Sequence, residues 1–154
     1  MEKRTPITFL LIQDRTGDQF RIFQALSSTF ANEVVVFNPG MSIIRYLSQE
    51  VKNTSAGQSH LAFLIIVCPC LDAEVSAEIV SSIKKDDRDQ VRKTPVYVLS
   101  DRTTPRVAIL KDSSSTDAYT ENPFDITSFL EWLASLPSIK IDKLPTDKFV
   151  LRIG

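Results

Sequence analysis

The sequence alternates short, continuous apolar runs with longer amphipathic segments, and this alternation limits the folds that are open to the chain. The runs are rich in β-branched and aromatic residues, and they cover residues 7–12, 33–37, 61–67, 95–99 and, more weakly, 116–120. Runs that are apolar on both faces are typical of strands in a parallel sheet that helices cover on both sides.

Between these runs, apolar residues recur at helical spacings of three and four. The stripes are Phe20, Phe23, Leu26 and Phe30; Ile44, Leu47 and Val51; Val75, Ile79 and Ile83; and Ile126, Phe129, Leu130 and Leu133. Asp125 is a predicted N-cap for the last of these helices. A weaker helix is predicted from Thr104 to Leu110, with Pro105 at its first position. Five strand–helix units in alternation predict an α/β fold with a doubly wound parallel sheet and right-handed crossovers.

The length and the net charge of the chain limit the classes of protein to which it could belong. The chain has 154 residues, which is the size of one domain, and a formal net charge of −1. A net charge near zero gives no overall field toward nucleic acid or anionic lipid, so we expect neither as a partner. No apolar stretch approaches the ~18 residues of a membrane span, and we expect a cytoplasmic protein.

The C-terminal residues 137–154 lie outside the five repeated units. Residues 139–141 alternate in polarity, and residues 149–153 have the composition of a short strand. We therefore predict one domain over residues 1–136 with a short extension after it. The extension could add a strand to a sheet edge, act as a dimer arm, or be partly disordered.

In an open parallel sheet, ligands bind beyond the carboxyl ends of the strands. Polar or reactive residues follow four of the five predicted strands, and we expect them to meet in one cleft. They are Gln13 and Asp14; Cys68, Cys70 and Asp72; Ser100 and Asp101; and Asn122.

The same segments carry a resemblance to a known family. Residues 9–14, 64–68, 94–100 and 118–125 resemble the receiver domain of two-component response regulators, especially the stand-alone kind, over roughly residues 6–136. The resemblance implies a flavodoxin-like (βα)5 doubly wound sheet with strand order 2-1-3-4-5.

The receiver family uses two adjacent acids for Mg²⁺, an aspartate that accepts the phosphoryl group, a Ser or Thr hydroxyl, and a lysine. The resemblance puts the acid pair on Gln13 and Asp14 and the phosphate acceptor on Cys68. It puts the hydroxyl on Ser100 and the lysine on Asn122. Three of these five positions therefore depart from the family pattern.

These departures work against the family's reaction. Magnesium prefers carboxylate oxygens, so Asp14 alone should bind it weakly at best. Cys68 offers a thiol where aspartyl phosphate formation needs a carboxylate. Asn122 cannot neutralise a transferring phosphoryl group. We therefore expect a pseudo-receiver that is not an enzyme, has no cofactor and acts by protein–protein interaction.

The resemblance also implies a partner surface. In receivers, the face made by the fourth helix, fifth strand and fifth helix mediates dimerisation or output. Here that face would include Arg106, Leu110, Tyr119 and Trp132, and Tyr119 also occupies the family's aromatic switch position. The expected partner is a histidine kinase or another signalling protein, with a homodimer as an open alternative.

Two other functions stay open at this point. Asp72 or Asp101 could serve as a substitute phosphate acceptor in a working phosphorelay, although Asp72 also suits the N-cap of the next helix. Cys68 and Cys70 could form a thiol redox sensor. A Cys–His hydrolase is excluded, because His60 and Cys68 lie at opposite ends of the third strand, about 26 Å apart.

Overall fold

The computed structural model describes residues 5–12, 19–38, 42–53, 61–67, 73–100, 118–121 and 125–153. For residues 19–21, 53, 73–77, 99–100 and 118–121, it describes the backbone alone.

The described chain forms eight strands and five helices. The strands are β1 (Thr5–Pro6), β2 (Thr8–Ile12), β3 (Val34–Phe37), β4 (Phe63–Val67), β5 (Val96–Ser100), β6 (Ala118–Glu121), β7 (Ile139–Lys143) and β8 (Phe149–Ile153). The helices are α1 (Gln19–Thr29), α2 (Ile43–Asn53), α3 (Ala73–Lys84), α4 (Asp89–Arg92) and α5 (Ile126–Ala134).

The main sheet is parallel and has the order β3-β2-β4-β5-β6. Counted among its own five strands, this is the order 2-1-3-4-5, so the predicted flavodoxin-like topology is confirmed. The two strands at its centre, β2 and β4, are almost entirely buried. Their burial explains why their sequences are continuously apolar and not alternating.

Successive side chains of these strands enter two separate cores, one on each face of the sheet. Leu10 and Ile12 contact the core beneath α2, α3 and α4, whereas Phe9 and Leu11 contact the core beneath α1 and α5. The helix residues that fill the first core are Leu47, Val80, Ile83 and Val91, and those that fill the second are Ile22, Leu26, Phe129 and Leu133. Helices on both faces make the sheet doubly wound, as the sequence predicts.

A second, antiparallel sheet has the order β1-β8-β7. Residues 149–153, whose composition predicts a short strand, form β8, and the alternating residues 139–141 lie in β7. The two strands form a hairpin that pairs with the start of the chain. Ile139 and Leu151 are buried in the core beneath α1 and α5. The main-chain amide of Ala31 donates to the Phe149 carbonyl at 2.8 Å, which joins β8 to the turn after α1. The C-terminal residues thus complete that core.

Asn32 is one of two buried polar residues among those described, with 8% of its surface exposed. Its Nδ2 donates to the carbonyls of Ile7 at 2.6 Å and Leu151 at 2.9 Å. Its Oδ1 accepts a hydrogen bond from the Leu151 amide at 2.9 Å. One side chain therefore links the first strands, the turn before β3 and the C-terminal strand.

The predicted cap of the last helix is confirmed. Asp125 Oδ1 accepts from the Thr127 amide at 3.1 Å, and its Oδ2 accepts from the Ser128 hydroxyl at 2.8 Å. These bonds satisfy an amide that has no partner within the helix and fix where α5 begins. The predicted helix over 104–110 and the proposed cap Asp72 lie outside the described residues.

The single-turn helix α4 was not predicted, because four residues are too few to show a helical period. It buries Val91 against the core beneath α2 and α3. The Lys84 ammonium donates to the Thr94 carbonyl at 2.9 Å, and the Thr94 hydroxyl donates to the Gln90 carbonyl at 2.9 Å. These bonds hold the turn that leads into β5.

None of the described helices combines the length and apolarity that a membrane span requires.

Candidate functional site

The candidate site is the carboxyl edge of the parallel sheet, where several strands end side by side. Ile12 at the end of β2 pairs with Val67 at the end of β4. Val67 also pairs with Val98 of β5. Ser100 and Glu121 form the last pair between β5 and β6. The strand order therefore brings the ends of β2, β4 and β5 together, as the sequence predicts for a ligand cleft.

The described side chains beneath this edge are apolar. Ile12, Val67 and Val98 are all buried in the core beneath α2 and α3. Among the residues that the structure describes, no group of three His, Cys, Asp or Glu side chains could hold a metal ion. In the sequence, the charged residues next to these strand ends are Glu121 in β6 and residues of the segments that follow the strands.

Most of the predicted site residues lie in segments between the strands that are outside the described residues. They are Gln13, Asp14, Cys68, Cys70, Asp72, Asp101 and Asn122, together with Arg106 and Leu110 of the predicted partner surface. Ser100 is the last residue of β5, one position later than the predicted strand end. Tyr119 lies in β6 opposite Val98. Only the backbones of Ser100 and Tyr119 are described.

Trp132 is the one residue of the predicted partner surface whose side chain is described. It is half-buried on α5, with its ring centroid 4.9 Å from that of Tyr97 and 5.9 Å from that of Phe129. Tyr97 lies on β5 and is buried. Trp132 therefore joins the helix to the sheet, and the residue stays partly exposed.

Among the described residues, the charged pair with shifted pKa values lies away from the carboxyl edge. A carboxylate–guanidinium pair lies between α3 and α4, on the chain that leads to the amino end of β5. There Arg88 donates to both oxygens of Asp86, at 2.8 Å each, and these bonds hold the pKa of Asp86 below its ordinary value. The same hydrogen bonds raise the pKa of Arg88. This pair stabilises a turn at the opposite end of the strand from the candidate site.

Tyr46 on α2 has a raised pKa. Burial is the main cause, followed by the negative charges of Glu50 and Glu33. Its ring makes edge-on contacts with Phe37 at 5.0 Å and Phe63 at 5.5 Å between centroids. The residue packs at the margin of the core beneath α2 and α3.

Comparison of the whole structure with solved structures finds a bacteriophytochrome response regulator, RtBRR. The two superpose with a TM-score of 0.61 and 19% sequence identity, over 93% of this chain and 87% of that chain. The chain has a receiver-like fold. No family model and no curated protein matches the sequence. At this identity the likeness shows the fold, which agrees with the topology of the main sheet.

The structural role of Asn32 could not be predicted from the sequence. An asparagine between a helix and a strand is typical of an exposed turn. Its two long-range bonds to Leu151 span 119 positions of the chain, so no local pattern signals them.

Proposed function

We propose that the protein is a pseudo-receiver, a cytoplasmic signalling module that binds a protein partner without conventional aspartyl phosphorylation. The observation that supports this most directly is the pairing of Ile12 with Val67 at the carboxyl edge. In the sequence, Gln13 follows Ile12 and Cys68 follows Val67. Receiver chemistry needs carboxylates at both of these positions.

The chemistry of the substituted side chains supports the proposal. A thiol cannot form an acyl phosphate, and without a nearby cation it stays mostly protonated at neutral pH. Asp14 supplies a single carboxylate, which is a poor site for an ion that prefers several oxygen ligands. Asn122 carries no positive charge to stabilise the transferring group. Each of the three changes opposes the same reaction at a different step.

A partner surface around α5 accompanies this proposal. Trp132 is partly exposed, and its ring packs on that of Tyr97. A partly exposed tryptophan over a rigid core is the kind of anchor that dominates protein interfaces. A histidine kinase or another signalling protein is the proposed partner, and Arg106, Leu110 and Tyr119 are the other proposed contacts.

The proposal is tested by heteronuclear NMR with Mg²⁺ and beryllium fluoride, which mimics the phosphoryl group. The wild-type spectrum should not change near Asp14 and Ser100, because the acceptor carboxylate is missing. The matched control is the triple variant Gln13→Asp, Cys68→Asp and Asn122→Lys, which restores the family's residue types. Shifts in the triple variant alone would support the proposal.

Shifts in the wild-type protein would contradict it and favour a working receiver with a substitute acceptor. Asp72→Asn and Asp101→Asn, examined one at a time, would then show which carboxylate is used. A thiol redox sensor predicts a different result, namely a mass change on mild oxidation that Cys68→Ser or Cys70→Ser abolishes.

A further inference from the structure

The outer edge of β7 carries a self-complementary pattern that the function proposed above does not use. β7 is the last strand of the β1-β8-β7 sheet, and no strand pairs with its far side among the described residues. Its sequence, Ile139-Lys-Ile-Asp-Lys143, places opposite charges two positions apart.

The hydrogen bonds of β8 show which groups of β7 face outward. The Leu151 carbonyl accepts from the Ile7 amide at 2.9 Å, and the Leu151 amide donates to Asn32 Oδ1, so Leu151 points away from β7. In an antiparallel pair, residues alternate between facing the partner strand and facing away from it. Ile141 is registered opposite Leu151 and therefore presents its amide and carbonyl to the outer edge.

The same alternation turns Lys140 and Asp142 inward. They are registered opposite Arg152 and Val150, and their main-chain groups face β8. Their side chains lie on the face of the sheet opposite to that of Ile139 and Ile141, which contact the core.

We propose that β7 pairs antiparallel with β7 of a second copy of this chain, about a two-fold axis at Ile141. In this register, Ile141 exchanges two main-chain hydrogen bonds with Ile141 of the second copy. Lys140 lies directly opposite Asp142 of the second copy, and Asp142 lies opposite its Lys140. The two three-stranded sheets join into one sheet of six strands with an isologous interface.

Charge selects this register over its neighbours. An axis at residue 140 would place lysine against lysine, and an axis at residue 142 would place aspartate against aspartate. Like charges directly opposite are destabilising. Both of those registers would also need main-chain groups that already face β8. Lysines on an edge strand ordinarily oppose such pairing, but in this register Lys140 lies opposite an acid, and Lys143 lies opposite Ile139 of the second copy.

A side-chain bond within the subunit orients the acid. Arg152 Nη1 donates to Asp142 Oδ2 at 3.0 Å, and the Asp142 side chain is still 46% exposed. Asp142 can therefore accept from its own Arg152 and from Lys140 of the second copy. A single pair of short strands buries little area, so the dimer should be weak and concentration-dependent.

Sedimentation velocity over a range of protein concentrations tests the proposal. The wild-type chain should self-associate as its concentration rises toward about 1 mM. Lys140→Asp sets acid against acid twice at the symmetric interface and should weaken association by about tenfold. The charge swap Lys140→Asp/Asp142→Lys restores opposite charges and should recover the wild-type constant to within about threefold.

Lys85→Asp makes the same change of net charge at an exposed position after α3 and serves as the matched control. Far-ultraviolet circular dichroism of each variant confirms that the fold is kept. A wild-type chain that stays monomeric throughout would overturn the proposal. So would equal weakening by Lys140→Asp and Lys85→Asp, or a charge swap that fails to recover association. None of these results bears on phosphorylation, so this inference and the proposed function can fail separately.

Discussion

The side chain of Asn32 forms hydrogen bonds with residues near both ends of the chain. Its side chain satisfies the Leu151 amide and contributes donors to the carbonyls of Ile7 and Leu151. A backbone group that loses its partner while buried costs far more than an average hydrogen bond contributes.

Asn32→Ala should lower the free energy of unfolding by about 2–4 kcal/mol, because it leaves at least two buried main-chain groups without this partner. Urea denaturation followed by circular dichroism measures the change. Glu33→Ala is the matched control, since Glu33 is the exposed neighbour and keeps its main-chain bond to Phe9. Equal losses in the two variants would show that the Asn32 bonds contribute little.

Asp86 makes the free energy of unfolding depend on pH. Its pKa is lowered in the folded state, chiefly by the side-chain hydrogen bonds from Arg88. A carboxyl group with a lowered pKa contributes stability above its unfolded pKa of about 4, and this contribution is lost as the pH falls through the folded pKa.

Asp86→Asn should therefore reduce stability at neutral pH by only about 0.5 kcal/mol, since Arg88 is partly exposed to solvent. The difference from wild type should shrink as the pH falls below about 4. Thermal unfolding at several pH values measures it. Asp87→Asn, at an exposed neighbour, removes the same charge without breaking the Asp86–Arg88 bonds and serves as the control. A difference that stayed constant with pH would rule out the pair as its source.

The sequence of the turn between β7 and β8 explains its conformation. The Leu144 amide donates to the Lys148 carbonyl at 2.7 Å, and the Asp147 amide donates to the Leu144 carbonyl at 3.0 Å. Pro145 suits the first turn position, and Asp147 takes a left-handed conformation with φ of 71°. A three-residue hairpin loop needs this conformation at its last position.

Asp147→Gly should stabilise the fold by about 0.5 kcal/mol, because glycine adopts positive φ without a steric cost. The lost contact with Lys143 is long, at 3.8 Å, and exposed, so its removal should matter little. Asp147→Ala should be destabilising, because alanine lacks aspartate's tolerance of this conformation. Thermal unfolding of the three proteins should rank them Gly, Asp, Ala, and any other order would contradict the explanation.

Helices and strands with a strong period could be predicted from the sequence, and shorter elements could not. The five parallel strands and the Asp125 cap follow from local composition. Helix α4 and strand β1 are too short to have a period. The pairing of β1 with β8 joins Thr5 to Ile153, and local patterns carry no information about such a contact.

The two C-terminal strands contribute buried side chains to the hydrophobic core of the protein. Ile139, Val150 and Leu151 are all buried, and Ile139 and Leu151 share a core with Phe9 and Phe129. Burying each such side chain contributes about 1.5–3 kcal/mol. Their combined contribution is comparable with the whole stability of a typical domain, about 5–15 kcal/mol.

A chain that ends at residue 136 should therefore fail to fold cooperatively. Circular dichroism and thermal denaturation should show no sharp transition in the truncated chain. Thr146→Ala, which alters the exposed turn and leaves both strands in place, should unfold like the wild type. A sharp transition in the truncated chain would instead mean that residues 1–136 fold alone.

The sequence predicts at which edge of the sheet the candidate site lies, but it does not predict the arrangement of the side chains there. Because parallel strands end at one edge, the alternation of strands and helices is enough to bring Gln13 and Cys68 after neighbouring strands. The segments that follow Ile12 and Val67 have no periodic sequence, so the sequence does not predict the geometry of their side chains. Whether Asp72 or Asp101 can act as a phosphate acceptor therefore needs a chemical test.

The intact mass of the protein after incubation with Mg²⁺ and acetyl phosphate tests whether the chain is a pseudo-receiver. We predict no phosphoryl adduct on the wild-type chain, and an adduct on the triple variant in which Gln13, Cys68 and Asn122 are replaced by the family's residue types. A wild-type adduct that disappears in Asp72→Asn or Asp101→Asn would show instead that the protein is a phosphorylated receiver with a relocated acceptor.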